Sequence, residues 1–103
     1  MTTLLSTKDV DEEVILTFDF TDGLASGEAL TSIVSTEIVV NSGVDANVAL
    51  VLNGSPNFYT GNSAVSVPVK GGLADCSYKV KVTCDTTNAE KRLTVTAILP
   101  MNR

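Results

Sequence analysis

Four carboxylates stand close together near the start of the chain: Asp9, Asp11, Glu12 and Glu13. Paired carboxylates can serve as acid and base at a glycosidic bond, and clustered ones can hold a hard cation. These four sit in a polar flanking segment, not in an evident pocket, and the Asp-x-Asp-x-Asp-Gly spacing of a calcium loop is absent. The chain has no histidine, so Ser-His-Asp and Cys-His machinery cannot be assembled. Its two cysteines, Cys76 and Cys84, fall on what reads as one extended strand. At about 3.3 Å per residue they lie roughly 26 Å apart. A disulfide needs Cα atoms within about 7 Å, so this pair cannot bridge. Nor can two thiols at that separation, with no histidine, build a zinc site. They read as small buried hydrophobes. Gly71-Gly72 has neither the spacing nor the following helix of a phosphate loop, and reads as a turn tolerating positive φ. The chemistry-bearing residues therefore predict no enzyme, no metal and no cofactor.

What remains is contact chemistry. Phe58 and Tyr59 stand between the polar stretches Asn53–Asn57 and Thr60–Ser63. Such a pair can cap a core with one ring and present the other to a sugar or a protein. Leu4 and Leu5, with Val10 behind them, can dock an extended segment onto a neighbour. Tyr78 follows a glycine- and aspartate-bearing turn in the penultimate strand. A tyrosine placed there can bond backbone near the turn through its hydroxyl.

The elements that must position these residues are strands. Cys76, Tyr78, Val80, Val82 and Cys84 alternate with Ser77, Lys79, Lys81 and Thr83. This period of two with a polar outer face marks a half-buried antiparallel strand. Leu93, Val95, Ala97 and Leu99 repeat it opposite Arg92, Thr94 and Thr96, so the two segments predict a hairpin. Val14, Leu16, Phe18 and Phe20 share a face in an earlier strand, which Thr21-Asp22-Gly23 ends. Leu30 to Val40 is extended with broken alternation, as a bulge or burial on both faces would give. Val48–Leu52 and Val65–Val69 are shorter strands. Pro68 lacks an N–H, which predicts a sheet edge or bulge for the latter. Turns recur every 8–12 residues or so, the β-sandwich pattern.

The 103 residues suit one domain, with 44% apolar residues against 5% aromatic ones and no Trp. The core must be built from Val, Leu, Ile and Ala. The predicted fold is all-β: a single immunoglobulin/fibronectin-III-like antiparallel β-sandwich of about seven strands over residues 14–103, behind an extended N-terminal arm over 1–13. Net charge is −5 with seven scattered Lys and Arg, which argues against nucleic acid. No segment has the roughly 20 apolar residues that span a bilayer, and the first residues lack the basic start and apolar run of a signal peptide.

Lys8-Asp9-Val10-Asp11-Glu12-Glu13, then Leu16-Thr17-Phe18-Asp19-Phe20, then Leu24-Ala25-Ser26-Gly27-Glu28, resembles the opening of the tailed-phage fibre–tail adaptor family. That family leads from a Lys-Asp-Pro-Asp-like start into an aromatic-Asp-aromatic strand and a Gly-Asp/Glu loop. Val65 through Gly71-Gly72, Tyr78-Lys79-Val80, Thr83, the Asp85–Lys91 turn and Arg92-Leu93-Thr94 resembles its closing hairpin. Val10 stands where the family has proline and Phe20 where it often has tryptophan, and residues 41–63 look like a longer central insertion. The resemblance implies a bacteriophage virion structural protein, assembled in the host cytoplasm in symmetric copies. It would join tail, fibre, portal, connector or capsid proteins at the tail or head–tail junction. Capsid decoration is the alternative the same sandwich would serve. A carbohydrate- or receptor-binding module is a third, using Phe58, Tyr59 and the loop between Asn53 and Asn62. The candidate contact residues are Leu4, Leu5, Val10, Phe58, Tyr59 and Pro68; Tyr78, Gly71 and Gly72 are structural candidates.

Overall fold

Alternating side chains fold here into two facing sheets. The computed structural model describes residues 2–5, 7–59 and 61–101, with backbone alone for residues 2–4 and 59. Eight strands occur among the described residues: β1 (Thr2–Leu4), β2 (Val14–Asp19), β3 (Leu30–Ser42), β4 (Leu50–Leu52), β5 (Asn57–Tyr59), β6 (Ala64–Gly71), β7 (Ser77–Thr86) and β8 (Arg92–Pro100). One sheet has the order β1-β8-β7-β3; the other has the order β2-β6-β4, with β5 also on β6. All pairings between strands are antiparallel except that of β1 with β8.

The period-two pattern sets the faces. In β7, Tyr78, Val80, Val82 and Cys84 point inward and are inaccessible, while Lys79 and Lys81 stay exposed. β8 contributes Val95, Ala97 and Leu99, β2 contributes Leu16 and Phe18, and β6 contributes Val65, Val67 and Val69 to the same cluster. Each fully buried aliphatic or aromatic side chain stabilises by about 1.5–3 kcal/mol. The β7–β8 hairpin keeps its register from Ser77↔Pro100 to Asp85↔Arg92. The broken alternation of β3 has a structural cause: its register to β7 shifts between Leu30 and Ser32, Ile33 and Ser35, and Val40 and Ser42. β3 is 13 residues long, and at about 3.3 Å per residue it spans the long axis of a molecule measuring 43 × 20 × 20 Å.

The expected edge position of Pro68 is corrected: β6 is the centre of its sheet, with β2 on one side and β4 and β5 on the other. The Pro68 carbonyl accepts from the Asn53 N–H at 2.8 Å. Within a strand the nitrogen and carbonyl of one residue face the same side. The nitrogen of Pro68 therefore faces the 53–56 connection, between the last β4 residue, Leu52, and the first β5 residue, Asn57. No ladder partner stands there, so the missing donor breaks no pairing.

The lead-in runs along its own domain. β1 pairs Thr2↔Thr96, Thr3↔Ala97 and Leu4↔Ile98, and the Leu5 N–H donates to Ile98 O at 2.8 Å. Lys8 is 2% exposed, and its backbone bridges to β8's end through Pro100 O.

Candidate interaction surface

Gly71 and Gly72 adopt φ of +80° and +98°, which side chains rarely adopt. Space forbids a side chain there as well. A Cβ on Gly71 would come within 2.5 Å of Ala49 O, and one on Gly72 within 2.6 Å of Met101 Cε. The turn is held from both directions. Lys8 Nζ donates to Gly71 O and to Asp9 O, each at 2.8 Å, tying the lead-in to the β6–β7 turn. From the other side, the fully buried Tyr78 hydroxyl accepts the Leu73 N–H at 2.9 Å and donates to Asp45 Oδ2 at 2.6 Å. The same Asp45 oxygen accepts from the Ala49 N–H at 2.7 Å. Asp45 thus organises the β3–β4 connection, in which Val48 takes φ of +48°, and ties it to the turn after β6. Burial pushes the Tyr78 phenol up to about 12, and the Asp45 carboxylate adds to the shift. The phenol's hydrogen bond in turn holds Asp45 below the usual carboxylate range.

A second polar cluster locks the opposite end. Glu28 Oε1 accepts from Lys91 Nζ at 2.8 Å and from the Ala25 N–H at 2.7 Å, and Oε2 accepts from the Thr86 hydroxyl at 2.7 Å. The Lys91 ammonium, then these two donors, lower the Glu28 carboxyl to about 2. The loop after β2 is thereby fastened to the β7–β8 turn. Nearby, Arg92 Nε pairs with Asp85 Oδ1 at 2.8 Å on the outer face.

The candidate contact residues do not converge on one patch. Leu5 is half-buried and packs against the core; Val10 is exposed. Phe58 lies opposite the inward Val65 and packs against the core, so its ring faces into the sandwich. The side chains of Leu4 and Tyr59 lie outside the described residues. Pro68 is half-buried on the outer face of its sheet, opposite Ile15 of β2. At 70% exposure, Ile15 is the most open apolar side chain on any strand among the described residues. The signal for it was an apolar residue in phase with the polar Thr17 and Asp19. Val34 and Val39 of β3 and Val51 of β4 are further exposed apolar residues that the motif reading passed over.

Cys76 and Cys84 are free and buried, and burial pushes the Cys84 thiol up to about 11. Such a thiol holds its proton and is a poor nucleophile. Among the described residues no group of three or more His, Cys, Asp or Glu could hold a metal ion. No helix among them is long and apolar enough to cross a membrane. A hollow lined by Ser42, Asp75, Cys76, Ser77, Ile98, Pro100 and Met101 is an open depression of about 590 Å³.

Two packed sheets, antiparallel apart from the β1–β8 pair, define a β-sandwich. The chain belongs to the family described as podophage GP4 fiber-tail adaptor protein gp77, whose model matches residues 8–100. The match takes in the Lys8 latch, both sheets and the closing hairpin. No curated protein and no solved structure matches the chain at a significant level.

Proposed function

We propose that this protein is a bacteriophage virion structural protein that connects tail and fibre components through non-catalytic protein–protein contacts. The site of action in this reading is the tail or head–tail junction, and the partners are other virion proteins met in symmetric copies during assembly in the host cytoplasm. The observation that carries the reading is the adaptor family's match over residues 8–100. The fold is compatible with it. The outer sheet faces are dominated by polar residues interrupted by isolated apolar ones such as Ile15, and strand edges offer backbone groups to a neighbour's sheet. Leu5 and Val10 at the lead-in and Pro68 with Ile15 on the outer face are the contact residues to vary first.

Immunogold electron microscopy of purified particles, intact and disrupted, tests the proposal. Label at the tail or fibre base is the expected result. Label spread over the shell would replace the adaptor role with capsid decoration. Absence of label from both intact and disrupted particles would remove the protein from the virion altogether.

A further inference from the structure

Asn53 is the one asparagine of the chain that a glycine follows. It stands just after β4, where the next peptide unit is left without anchors. The Asn53 N–H donates to Pro68 O at 2.8 Å, but Pro68 has no N–H to return. Among the described residues, neither the Asn53 carbonyl nor the Gly54 N–H makes a hydrogen bond. Gly54 takes φ of +121°, and a Cβ built on it would meet only Pro68 Cγ, at 3.7 Å, so the space around it is open. Comparable sites elsewhere are held. Asp22 is the one aspartate before a glycine, and the Gly23 N–H is taken by Phe20 O at 3.0 Å. Asn41, before Ser42, lies inside β3 with its carboxamide donating to Ser77 Oγ at 3.1 Å.

An asparagine before a free glycine amide can react with its own main chain. With no Cβ beside it, the Gly54 nitrogen can approach the Asn53 side-chain carbonyl carbon. Attack forms an N–Cγ bond and breaks the Cγ–Nδ2 bond. Ammonia leaves, taking up the Gly54 amide proton, and a five-membered succinimide remains. Water then opens the ring. Addition at Cγ restores the original main chain and leaves an aspartate. Addition at the main-chain carbonyl carbon breaks that carbon's bond to nitrogen and routes the chain through Cβ and Cγ, as isoaspartate. The sum is one water in and one ammonia out, with no redox change.

We propose that Asn53-Gly54 is a site of spontaneous deamidation in the folded chain, and that the modification unties β2 from β4. Asn53 Nδ2 donates to Glu13 Oε1 at 2.9 Å. Glu13 immediately precedes β2 and Asn53 immediately follows β4, two strands that flank β6 and share no ladder. Their side-chain bond therefore links strands that main-chain pairing leaves apart. Either product replaces the Nδ2 donor with a carboxylate, so that Glu13 faces a like charge. Isoaspartate also adds an atom to the main chain beside the bond from the Asn53 N–H to Pro68 O. The reaction needs no partner, so it stands apart from the adaptor reading.

Peptide mass spectrometry of the purified chain, held in mildly alkaline buffer and digested at intervals, tests the site. The peptide carrying residues 53–54 is expected to gain about 1 Da. The gain should accumulate there about tenfold faster than at any other asparagine, because only there does a residue without a Cβ follow. In water enriched in heavy oxygen the product takes up one labelled oxygen, and an isoaspartyl methyltransferase marks the isoaspartate. Folded and urea-unfolded chains should react within about threefold of each other, since the fold leaves this peptide unit unanchored. Asn53→Gln, which would have to close a less favourable six-membered ring, should silence the site. Asn53→Asp builds in one product and is expected to speed hydrogen exchange in β4 about threefold, and adding Glu13→Gln to reverse it. A folded chain unmodified at 53–54 while the unfolded chain reacts would overturn the site, as would a gain spread evenly over the asparagines. An Asn53→Asp chain that exchanges like the wild type would overturn the untying.

Discussion

At the scale of single residues, the polar groups that matter most are those taken out of water and fully partnered. Tyr78 is one: inaccessible, accepting from Leu73 and donating to Asp45. Tyr78→Phe removes both bonds and leaves the Leu73 N–H and the Asp45 carboxylate short of a partner. Chemical denaturation is expected to show a loss of about 1–3 kcal/mol with unchanged m-value. The phenol also gives an alkaline signature. Its folded pKa lies near 12, above the ordinary 10, so its contribution is complete below pH 10 and is lost as pH rises toward 12. The Cys84 thiol, at about 11 against 9, acts in the same direction over pH 9–11. Ultraviolet titration of the folded chain is expected to show a phenol ionising only near 12, and Tyr78→Phe to remove that step.

At the scale of elements, connections are fixed by close approach as much as by pairing. The Gly71-Gly72 turn joins β6 to β7 where an added Cβ would meet Ala49, Met101 or the Tyr78 ring. Gly72→Ala places a Cβ 2.6 Å from Met101 Cε at a φ of +98°. Methionine is flexible and gives way at modest cost, so the backbone conformation dominates, and a loss of about 1–3 kcal/mol is expected in thermal or chemical denaturation. Hydrogen exchange should locate the loosening at the start of β7 and in the Lys8 lead-in, which bonds the same turn. At Pro68, by contrast, the 53–56 connection provides a place where no donor is needed, which is how a proline comes to sit in a central strand.

For the molecule as a whole, the two ends of the sandwich are tied by separate polar clusters, each built on a carboxylate held below its ordinary range: Glu28 at one end and Asp45 at the other. Glu28 joins the loop after β2 to the β7–β8 turn and titrates near 2, against an ordinary 4.5. A depressed carboxylate contributes stability that is present above the unfolded value and lost as pH falls. The loss is therefore expected between about pH 4.5 and 2. Glu28→Gln should be less stable than wild type at pH 7, and the gap should close through that window, as followed by denaturation midpoints at stepped pH. The Tyr78 end loses stability in alkali through its raised phenol and in acid through its lowered Asp45 carboxylate.

The two-layer β architecture was legible in the sequence because burial of one strand face imposes a period of two, and β7, β8, β2 and β6 each write that period plainly. The family was legible as well: the Lys8–Glu13 start, the Phe18-Asp19-Phe20 strand and the closing hairpin are local strings, and the adaptor family's match spans them. The position of Pro68 was not, since whether a strand is central depends on which distant segments pair with it. The same holds for the Asp45–Tyr78 hydrogen bond, made across 33 positions, and for Lys8 reaching Gly71 across 63. No periodicity encodes such partners. Of the candidate contact residues, Phe58 turned toward the core because its strand pairs with the inward side of Val65, while Pro68 came to the outer face beside Ile15, a residue outside the candidate set that faces outward in phase with Thr17 and Asp19. The alternation of side chains is decided residue by residue along the chain; which edges stay open is decided only when the strands have taken their neighbours, because an edge is a property of the sheet and not of the strand.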